Sequence, residues 1–454
     1  MSNRFSGARN CADLITVDDE SLLARYYGEV TTSPVLGVQP PKPYFEPAWA
    51  FPALDDDLRA FLSPATAKYE LLPEYNGVSL RILDLRRNPA TQTTKTFASL
   101  LIVARAVEHL RRTGEAIILF TPSSGNKAVA LRDAVQRALD FGLATRQSLR
   151  IVTLTPERTI DKLRRSGLSE DPELLALNPV GVLPGDEPEA VKEIGANFVR
   201  EFSLNNRPTT KLWATLNLDN YRQADQVRAF ADYEFGAASV AGLRLIHAHA
   251  VSSAFGLLGY QAGLDRLVAM GHAVNQPGYL LVQHLGTCDM VLHSYFGSFD
   301  RSRVPAFRER GGEWVQDEVP IFPQRTWSPS EVLEETFYTR RPVTASHMSR
   351  LISDHGGGGI VVSLSECLQR YSECRELLES TDVSLPDDPR KIREWSMVMA
   401  LTGVLNAIDR GVVRDVDGVV VHASGTYAVG DYDPLPVSAM TPVTSAADLH
   451  DLLS

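Results

Sequence analysis

The sequence predicts an α/β protein built on parallel sheets. From about residue 78 onward, short apolar strands alternate with helices. Ser79–Leu85 has the alternation of a strand, and apolar residues then recur at helical spacing until Gly114 ends the helix. The strand Ala116–Phe120 and the helix Asn126–Leu139 repeat this order. Strands that alternate with helices are typical of βαβ units, whose strands lie parallel in one sheet.

Further segments extend this pattern. The apolar stretch Gly236–Gly263 predicts a buried helix pair, and Phe307–Pro329, with its glycines and prolines, predicts a long surface loop. The glycine run Gly356–Gly359 predicts a helix stop and a turn. The remaining predicted elements are the helix Thr159–Ser166 and the strands Leu149–Leu154, Tyr279–Leu285, Gly359–Val362 and Gly418–Ala423.

Composition excludes several classes of protein. The 454 residues are 44% hydrophobic and 22% charged, which is ordinary globular usage and excludes a disordered tail, a collagen and a coiled coil. With 45 Lys and Arg against 56 Asp and Glu, the net charge is −11, which argues against a nucleic-acid partner. No apolar run predicts a membrane span or a signal peptide, so we expect a cytoplasmic protein.

The cysteines and the N-terminal region carry weaker signals. Cys11, Cys288, Cys367 and Cys374 have no C-x-x-C spacing, so the sequence predicts neither a zinc ribbon nor a disulfide framework. Residues 1–77 form an extension rich in proline and aromatic residues, and the six prolines between Pro34 and Pro52 exclude regular helix in that stretch. We expect an extension packed on the large domain, or an arm that wraps the body or a partner subunit.

The first candidate site follows the strand near Leu85. Lys95 lies at the opening of an apolar helix, where the positive helix terminus and desolvation would both lower the pKa of its amine. A neutral amine is what Schiff-base chemistry needs. The alternative is a surface lysine with a solvated ammonium group.

Two more strand ends carry unusual residues. Residues 121–126 (T-P-S-S-G-N) connect a strand to a helix, and their hydroxyl groups and free N–H groups suit a carboxylate. Residues 285–289 (L-G-T-C-D) follow the apolar strand Tyr279–Leu285, and their glycine lets backbone amides approach a phosphate. In open α/β sheets, ligands bind at the carboxyl ends of the strands.

Taken in order, these segments resemble the fold-type II family of pyridoxal-phosphate (PLP) enzymes, the tryptophan synthase β-like enzymes. This family includes threonine synthase, cysteine synthase and serine/threonine dehydratase. The resemblance rests on four motifs: N-P-A-T-Q-T-T-K-T at 88–96, S-G-N at 124–126, L-L-V-Q-H-L-G-T-C-D at 280–289 and the final strand with its S-G-T turn at 418–426. The resemblance implies two three-layer α/β/α domains with the cofactor in the cleft. It also implies a homodimer.

The resemblance implies a role for each matching cofactor-binding residue. Lys95 would carry PLP as a Schiff base and act as acid and base at the substrate Cα. Asn126 would hydrogen-bond the ring hydroxyl group. Gly286, Thr287 and Cys288 would hold the phosphate, and we expect the backbone N–H of Cys288 to matter more than its thiol.

The resemblance also implies how substrate and ring are held. Ser123, Ser124 and Gly125 would bind the carboxylate of an amino-acid substrate, and Ser424 would meet the pyridine nitrogen. A serine there leaves the ring a weaker electron sink than an aspartate would. The implied reaction is β- or γ-elimination or replacement through an aminoacrylate-type intermediate. An inactive scaffold subunit and an isomerase or racemase remain alternatives.

Several residues depart from the family pattern. Thr96 and Phe97 stand where an Asp-Arg pair follows the lysine in the family, and Asp289 lies close to the proposed phosphate. Lys127 follows the asparagine loop, where a small residue is usual. These departures suggest a divergent member of specialised metabolism with an unusual substrate.

The expected domain division follows from the same resemblance. Residues 78–95 and 216–454 would form the large PLP-binding domain, and residues 96–215 a smaller inserted α/β domain that carries the asparagine loop. His247 and His249 do not predict a metal site, because residues two apart do not share a face of the helix expected there.

Overall fold

The structure is a computed structural model of the chain. It describes residues 20–32, 44–123, 125–185, 190–204 and 209–453. In these ranges the strands are β1 (Lys68–Tyr75), β2 (Val78–Asp84), β3 (Ala116–Pro122), β4 (Leu149–Pro156), β5 (Val180–Leu183), β6 (Thr210–Ala214), β7 (Leu245–Ala250), β8 (Gly278–His284), β9 (Arg308–Arg310), β10 (Glu313–Val315), β11 (Arg325–Thr326), β12 (Gly357–Val362), β13 (Gly418–Ala423) and β14 (Thr441–Pro442).

Helices fill most of the connections between these strands, together with short 3-10 helices such as Glu157–Lys162 and Leu285–Thr287. The α-helices are α1 (Leu22–Arg25), α2 (Tyr27–Thr32), α3 (Asp56–Leu62), α4 (Lys95–Thr113), α5 (Asn126–Asp140), α6 (Gly167–Glu170), α7 (Pro172–Leu177), α8 (Ala190–Leu204), α9 (Asp219–Ala224), α10 (Gln226–Phe235), α11 (Phe255–Ala269), α12 (Asp289–Phe296), α13 (Ala345–His355), α14 (Leu364–Gln369), α15 (Tyr371–Leu378), α16 (Ser396–Asp409) and α17 (Ala446–Asp451).

The chain divides into two compact units. The six-stranded unit contains Ala67–Arg87 and Asp225–Val429, and the five-stranded unit contains the described parts of Glu20–Thr66, Asn88–Ala224 and Gly430–Ser454. Lys95 therefore belongs to the five-stranded unit, whereas the expected division put it at the end of the large domain.

The six-stranded unit is built on a mostly parallel sheet. Its order is β1-β2-β13-β7-β8-β12, and β1 pairs antiparallel with β2. Every residue of β13 is buried, as expected of an apolar strand with neighbours on both sides. The side chains of β2, β7, β8, β12 and β13 share one apolar core with α16, which is buried along most of its length.

The five-stranded unit has a fully parallel sheet. Its order is β14-β5-β4-β3-β6. Helix α4 precedes β3. Its residues from Thr96 to Val107 are all buried, and Gly114 ends the helix in the left-handed conformation, with φ +71°. Phe120 of β3 packs edge-on against Phe198 of α8 at 4.9 Å between ring centroids.

These two sheets confirm the predicted α/β class. Strands β3 to β6 of the five-stranded sheet lie in the sequence between β2 and β7 of the other sheet. In the part of the chain that is described, no helix combines the length and the apolar character needed to cross a membrane.

Two predicted helical segments are wrong. Gly236–Gly263 contains the strand β7 and part of α11 in place of a helix pair, because the run Leu245–Ala250 pairs with β13 and β8. Thr159–Ser166 is helical only as far as Lys162, in a 3-10 helix. Leu163 then turns to extended backbone, and Arg164 forms a β-bridge with Pro434.

Predictions for irregular segments also need correction. The expected surface loop Phe307–Pro329 contains a small sheet of β11, β10 and β9, because Gly311 and Gly312 both take positive φ and close a hairpin. Gly356 does stop α13, but Gly357 already pairs with Tyr279 as the first residue of β12. Helices α1, α2 and α3 of the extension lie outside the proline cluster 34–52, and residues 44–52 contain no helix. Residues 1–19 and 33–43 lie outside the described residues.

Candidate active site

Asn88 organises the segment that leads to Lys95. Its Oδ1 accepts a hydrogen bond from the N–H of Ala90 at 3.1 Å, and its carbonyl oxygen accepts from Thr91 and Gln92. Gln92 takes the left-handed conformation at φ +49°. Local hydrogen bonding by an asparagine side chain is a usual way to fix such a turn, and here it leads the chain into α4.

Lys95 is the first residue of α4, as predicted. No acidic residue lies in the first turn of this helix to offset its positive end. The Lys95 side chain is half-buried, and its Nζ lies 5.4 Å from the ring centroid of Tyr221 in α9. Tyr221 is itself buried, so the ammonium group or amine of Lys95 lies over an aromatic face that is shielded from water.

Thr96 stands where the family has an aspartate after the lysine. Its hydroxyl group lies 2.6 Å from the hydroxyl oxygen of Thr91 and 3.4 Å from Asn88 Nδ2, and the side chain is buried. Asn88 Nδ2 also donates to Asp133 at 2.9 Å. The residue that departs from the family pattern therefore ties the lysine segment to the start of α4.

The asparagine loop joins β3 to α5. Ser123 Oγ accepts hydrogen bonds from the N–H groups of Gly125 at 3.3 Å and Ala128 at 3.2 Å, so this side chain caps α5. Gly125 has φ +125° and ψ −81°, a conformation that requires glycine. Asn126 is the first residue of α5 and is nearly buried. Ser124 lies outside the described residues.

This loop leaves few groups for a substrate. The N–H of Gly125, predicted to bind the carboxylate, already donates to Ser123. The hydroxyl proton of Ser123 has no acceptor among the residues described, so it can donate to a ligand. The ammonium group of Lys127 donates to the backbone oxygen of Thr215, and the residue is half-buried.

The turn after β8 in the six-stranded unit has a different character. Gly286, Thr287 and Cys288 are buried, and they form a 3-10 turn directly before the N-terminus of α12. The N–H group of Gly286 has no hydrogen-bond acceptor within the described chain. An N–H group at a glycine turn before a helix is of the kind that binds anions.

The side chains around this turn are packed closely. A Cβ atom on Gly286 would lie 2.8 Å from the imidazole of His284 and 3.1 Å from the Glu331 carbonyl oxygen, so glycine is required there. The Thr287 hydroxyl donates to the Phe337 carbonyl oxygen at 2.7 Å and lies 3.2 Å from His284 Nε2. The hydroxyl proton of Thr287 is therefore not available to a ligand.

Two arginines surround the acidic residue of the turn. Arg340 Nη1 lies 3.2 Å from a carboxylate oxygen of Asp289, and Arg301 Nη1 lies 3.6 Å from the same oxygen. Arg301 also donates to the Leu285 carbonyl oxygen at 2.9 Å. Two guanidinium groups against one carboxylate leave a net positive charge beside the turn, which favours an anion.

Cys288 is fully buried at the same turn. Burial raises the pKa of its thiol, and the charge of Arg301 opposes this shift more weakly. The thiol is therefore protonated at neutral pH and is a poor nucleophile. This supports the expectation that the backbone N–H of Cys288, and not its sulfur, serves a ligand.

Ser424 follows the last residue of β13. It is half-buried, and its hydroxyl group has no hydrogen-bond partner among the residues that the structure describes. A partly buried hydroxyl group without an internal partner is available to a ligand.

These groups fit the chemistry of PLP. The cofactor needs an anion site for its phosphate, a partner for its ring nitrogen and an amine for its aldehyde. The Gly286–Cys288 turn offers the first, the Ser424 hydroxyl the second and Lys95 the third. The sequence did not point to Tyr221, Arg301 or Arg340. The two arginines lie in segments without a motif.

The fold and these groups together describe an α/β protein with a buried glycine turn after β8 and a lysine at the start of α4. The chain belongs to DUF6002, a family of unknown function, whose profile matches residues 18–454. A search of curated proteins finds no match.

Solved structures give further similarities. The chain is similar to threonine synthase from yeast (11% identity, 87% of this chain, 83% of the other, TM-score 0.49) and to cysteine synthase from Entamoeba histolytica (12%, 92%, 98%, 0.48). It is also similar to a PLP-bound threonine synthase from Brucella melitensis (14%, 85%, 75%, 0.44). These enzymes are among those named in the sequence resemblance. With TM-scores below 0.5, they say nothing about this chain's cofactor or reaction.

Proposed function

We propose that this protein is a PLP-dependent enzyme that acts on an amino-acid substrate by β- or γ-elimination or replacement. The observation that carries this proposal is the Gly286–Cys288 turn. The N–H group of Gly286 lacks an acceptor within the described chain, and the sequence resemblance puts the cofactor phosphate at the same turn. Arg301 and Arg340 support the proposal, because they offset the charge that Asp289 brings to the turn.

Each remaining residue has a role that follows from its chemistry. Lys95 would bind the cofactor aldehyde through Nζ, and would then remove the proton from the substrate Cα and return it. Ser424 would donate a hydrogen bond to the ring nitrogen. Asn126 would hydrogen-bond the ring hydroxyl group, and the Ser123 hydroxyl would donate to the substrate carboxylate. Bound PLP supplies the electron sink for negative charge at the substrate Cα.

A spectrum of the protein with PLP tests this function. We expect an absorbance band at about 410–430 nm, the range of a protonated Schiff base of PLP. The band should disappear in Lys95→Ala and remain in Lys391→Ala, which removes an exposed lysine of the six-stranded unit. A band that persists in Lys95→Ala would exclude Lys95 as the attachment point.

Chemical trapping gives a second, independent measurement. Borohydride reduction should fix the cofactor to the peptide that contains Lys95, and mass spectrometry should find the label there. This function also requires Lys95 and Ser424 to reach the same ring. A crystal structure with Lys95 in bulk water and remote from Ser424 would contradict it.

One observation favours a non-catalytic alternative. The Gly125 N–H is already bonded to Ser123, so the asparagine loop has one donor fewer for a substrate carboxylate than the resemblance implies. A binding or scaffold subunit would release neither keto acid nor ammonia from any amino acid in a panel. A racemase or isomerase would instead exchange the α-proton without loss of a leaving group, which NMR in deuterated water detects.

A further inference from the structure

Apart from the groups described above, a polar pocket lies within the five-stranded unit. Its volume is about 250 Å³. We call it the arginine pocket and define it by Arg132, Asp133, Arg164, Arg165 and Tyr432. Arg132 lies six residues beyond Asn126 on α5, which is about 9 Å along the helix at 1.5 Å per residue. None of the groups assigned above to cofactor or substrate lines this pocket.

Arg132 is the unusual member of the arginine pocket. The residue is 4% exposed, and its Nη1 donates to the Asn178 carbonyl oxygen at 2.7 Å. Its Nε and Nη2 atoms have no hydrogen-bond partner in the described part of the chain. Burial lowers the pKa of Arg132 to about 10, so the side chain is charged at neutral pH. A buried cation with two unpaired donor atoms is costly unless an anion binds there.

The other charged residues leave the pocket positive. Arg165 is exposed, and its guanidinium group has no partner within the described residues. Arg164 lies over the ring of Tyr432 at 4.3 Å. Three arginines face the carboxylates of Asp133 and Asp431, which gives a formal charge of +1. Asp133 also accepts a hydrogen bond from Asn88 Nδ2 at 2.9 Å.

We propose that the arginine pocket binds a small metabolite through its phosphoryl or carboxylate group, which Arg165 binds directly and the buried charge of Arg132 attracts. The planar guanidinium group presents two parallel N–H donors to such a group. The pocket is larger than a bare ion needs and smaller than the usual site for a drug-sized ligand. This site stands independently of the proposed PLP function.

Arg164 connects the pocket to the lysine segment. It donates to the Ala90 carbonyl oxygen at 3.0 Å and to Gln92 Oε1 at 3.1 Å, three to five residues before Lys95. An anion in the pocket attracts Arg164, and Arg164 at the same time holds this segment. Ligand binding is therefore coupled to the position of residues 88–95.

Thermal unfolding with inorganic phosphate and with succinate tests the site, with sodium chloride at equal ionic strength as the reference. We expect a saturable rise in Tm with at least one of the two anions, and the better one identifies the phosphoryl or the carboxylate class. Arg132→Gln and Arg165→Ala should each weaken binding about tenfold to a hundredfold. Arg59→Ala should not, since it removes an exposed arginine elsewhere in the same unit.

Each outcome of these measurements either supports or overturns the proposed anion site. No saturable rise with either anion, or an equal loss of binding in Arg59→Ala, would overturn the proposal. Arg165 is exposed, so Arg165→Ala decides the question if Arg132→Gln fails to fold. Hydrogen exchange in residues 88–95 should slow when the anion is bound. Both readouts use the protein without PLP, so their failure is distinct from a failure of the PLP proposal.

Discussion

Two strand-to-helix turns, one in each unit, satisfy their backbones differently. After β3, Ser123 Oγ accepts from the N–H groups of Gly125 and Ala128, so that turn caps itself. After β8, Gln283 Oε1 accepts from the N–H groups of Met290 and Val291, which lie beyond the turn. The N–H group of Gly286 has no acceptor within the described chain. The position of one side-chain acceptor thus decides which N–H groups of a turn are bonded internally.

Buried polar groups also differ between the two units. The five-stranded unit buries Arg132 with two unpaired donor atoms, whereas the six-stranded unit buries the ion pair of Arg228 and Asp225 next to a group of neutral histidines. His247 Nδ1 lies 2.8 Å from Nε2 of His422 in β13, and Tyr260 donates to Asp232 at 2.6 Å beside them. His247 and His249 share a face of β7, because residues two apart do so in a strand. The expectation that these two histidines do not share a face, which assumed a helix, was therefore wrong.

The largest expected effect is a pH dependence of stability that originates in the six-stranded unit. Burial lowers the pKa of His247 from 6.5 to about 4 and holds the pKa of His422 well below 6.5. The unfolded chain therefore binds more protons, and the free energy of unfolding should fall as the pH drops from about 6.5 to about 4. His247 alone accounts for roughly 3 kcal/mol. Urea unfolding across this pH range measures the effect.

A matched pair of variants assigns this pH dependence. His247→Asn should reduce the slope of stability against pH below about 6.5, whatever its cost at neutral pH. His355→Asn should leave the slope as it is, because His355 is exposed. An unchanged slope in His247→Asn would place the titrating groups elsewhere.

The next effect concerns the self-capped turn of the five-stranded unit. Gly125→Ala should lower the free energy of unfolding by about 1–3 kcal/mol, because an alanine is strained at φ +125°. Its Cβ would also lie 3.2 Å from the Lys162 side chain. Gly185→Ala is the control for strain alone, since Gly185 has φ +94° and no atom near the Cβ position. Equal Tm losses in the two variants would show that Lys162 accommodates the methyl group.

The smallest effect contrasts two serines. Ser123→Ala should cost about 1 kcal/mol of stability, because it removes a helix cap. Ser424→Ala should change stability by less than about 0.5 kcal/mol, because no internal hydrogen bond is lost. It should nevertheless weaken PLP binding, measured by titration of the absorbance band. A stability loss in Ser424→Ala as large as that in Ser123→Ala would contradict the distinction between a serine that caps a helix and a serine that has no internal partner.

Much of the fold could be predicted from periodicity. The strand Gly418–Ala423 is found as predicted, and the helix start at Asn126 and the helix stop at Gly114 are confirmed. The failure at Gly236–Gly263 has a physical reason. A buried parallel strand is as apolar as a buried helix, so Leu245–Ala250 could not be told apart by hydrophobicity.

The candidate site was predictable in part. The sequence pointed to Lys95 and to the Gly286–Cys288 turn through their positions at strand ends, and the roles of both stay predictions. Arg301 and Arg340 could not be found, because tertiary packing alone brings them to Asp289. The self-capping by Ser123 was also hidden, since a serine before a helix suits a cap and a ligand equally.

The late position of strand β13 in the sequence determines when the six-stranded sheet can assemble during synthesis. The strand lies between β2 and β7, yet the ribosome makes it last of the six strands in its sheet. Until residue 423 emerges, β2 and β7 have no neighbour to join them, and their apolar edges stay open to other nascent chains. Strands β3 to β6 are complete by residue 214. We therefore expect chaperones that hold the growing chain to affect the yield of the six-stranded unit more than that of the five-stranded unit.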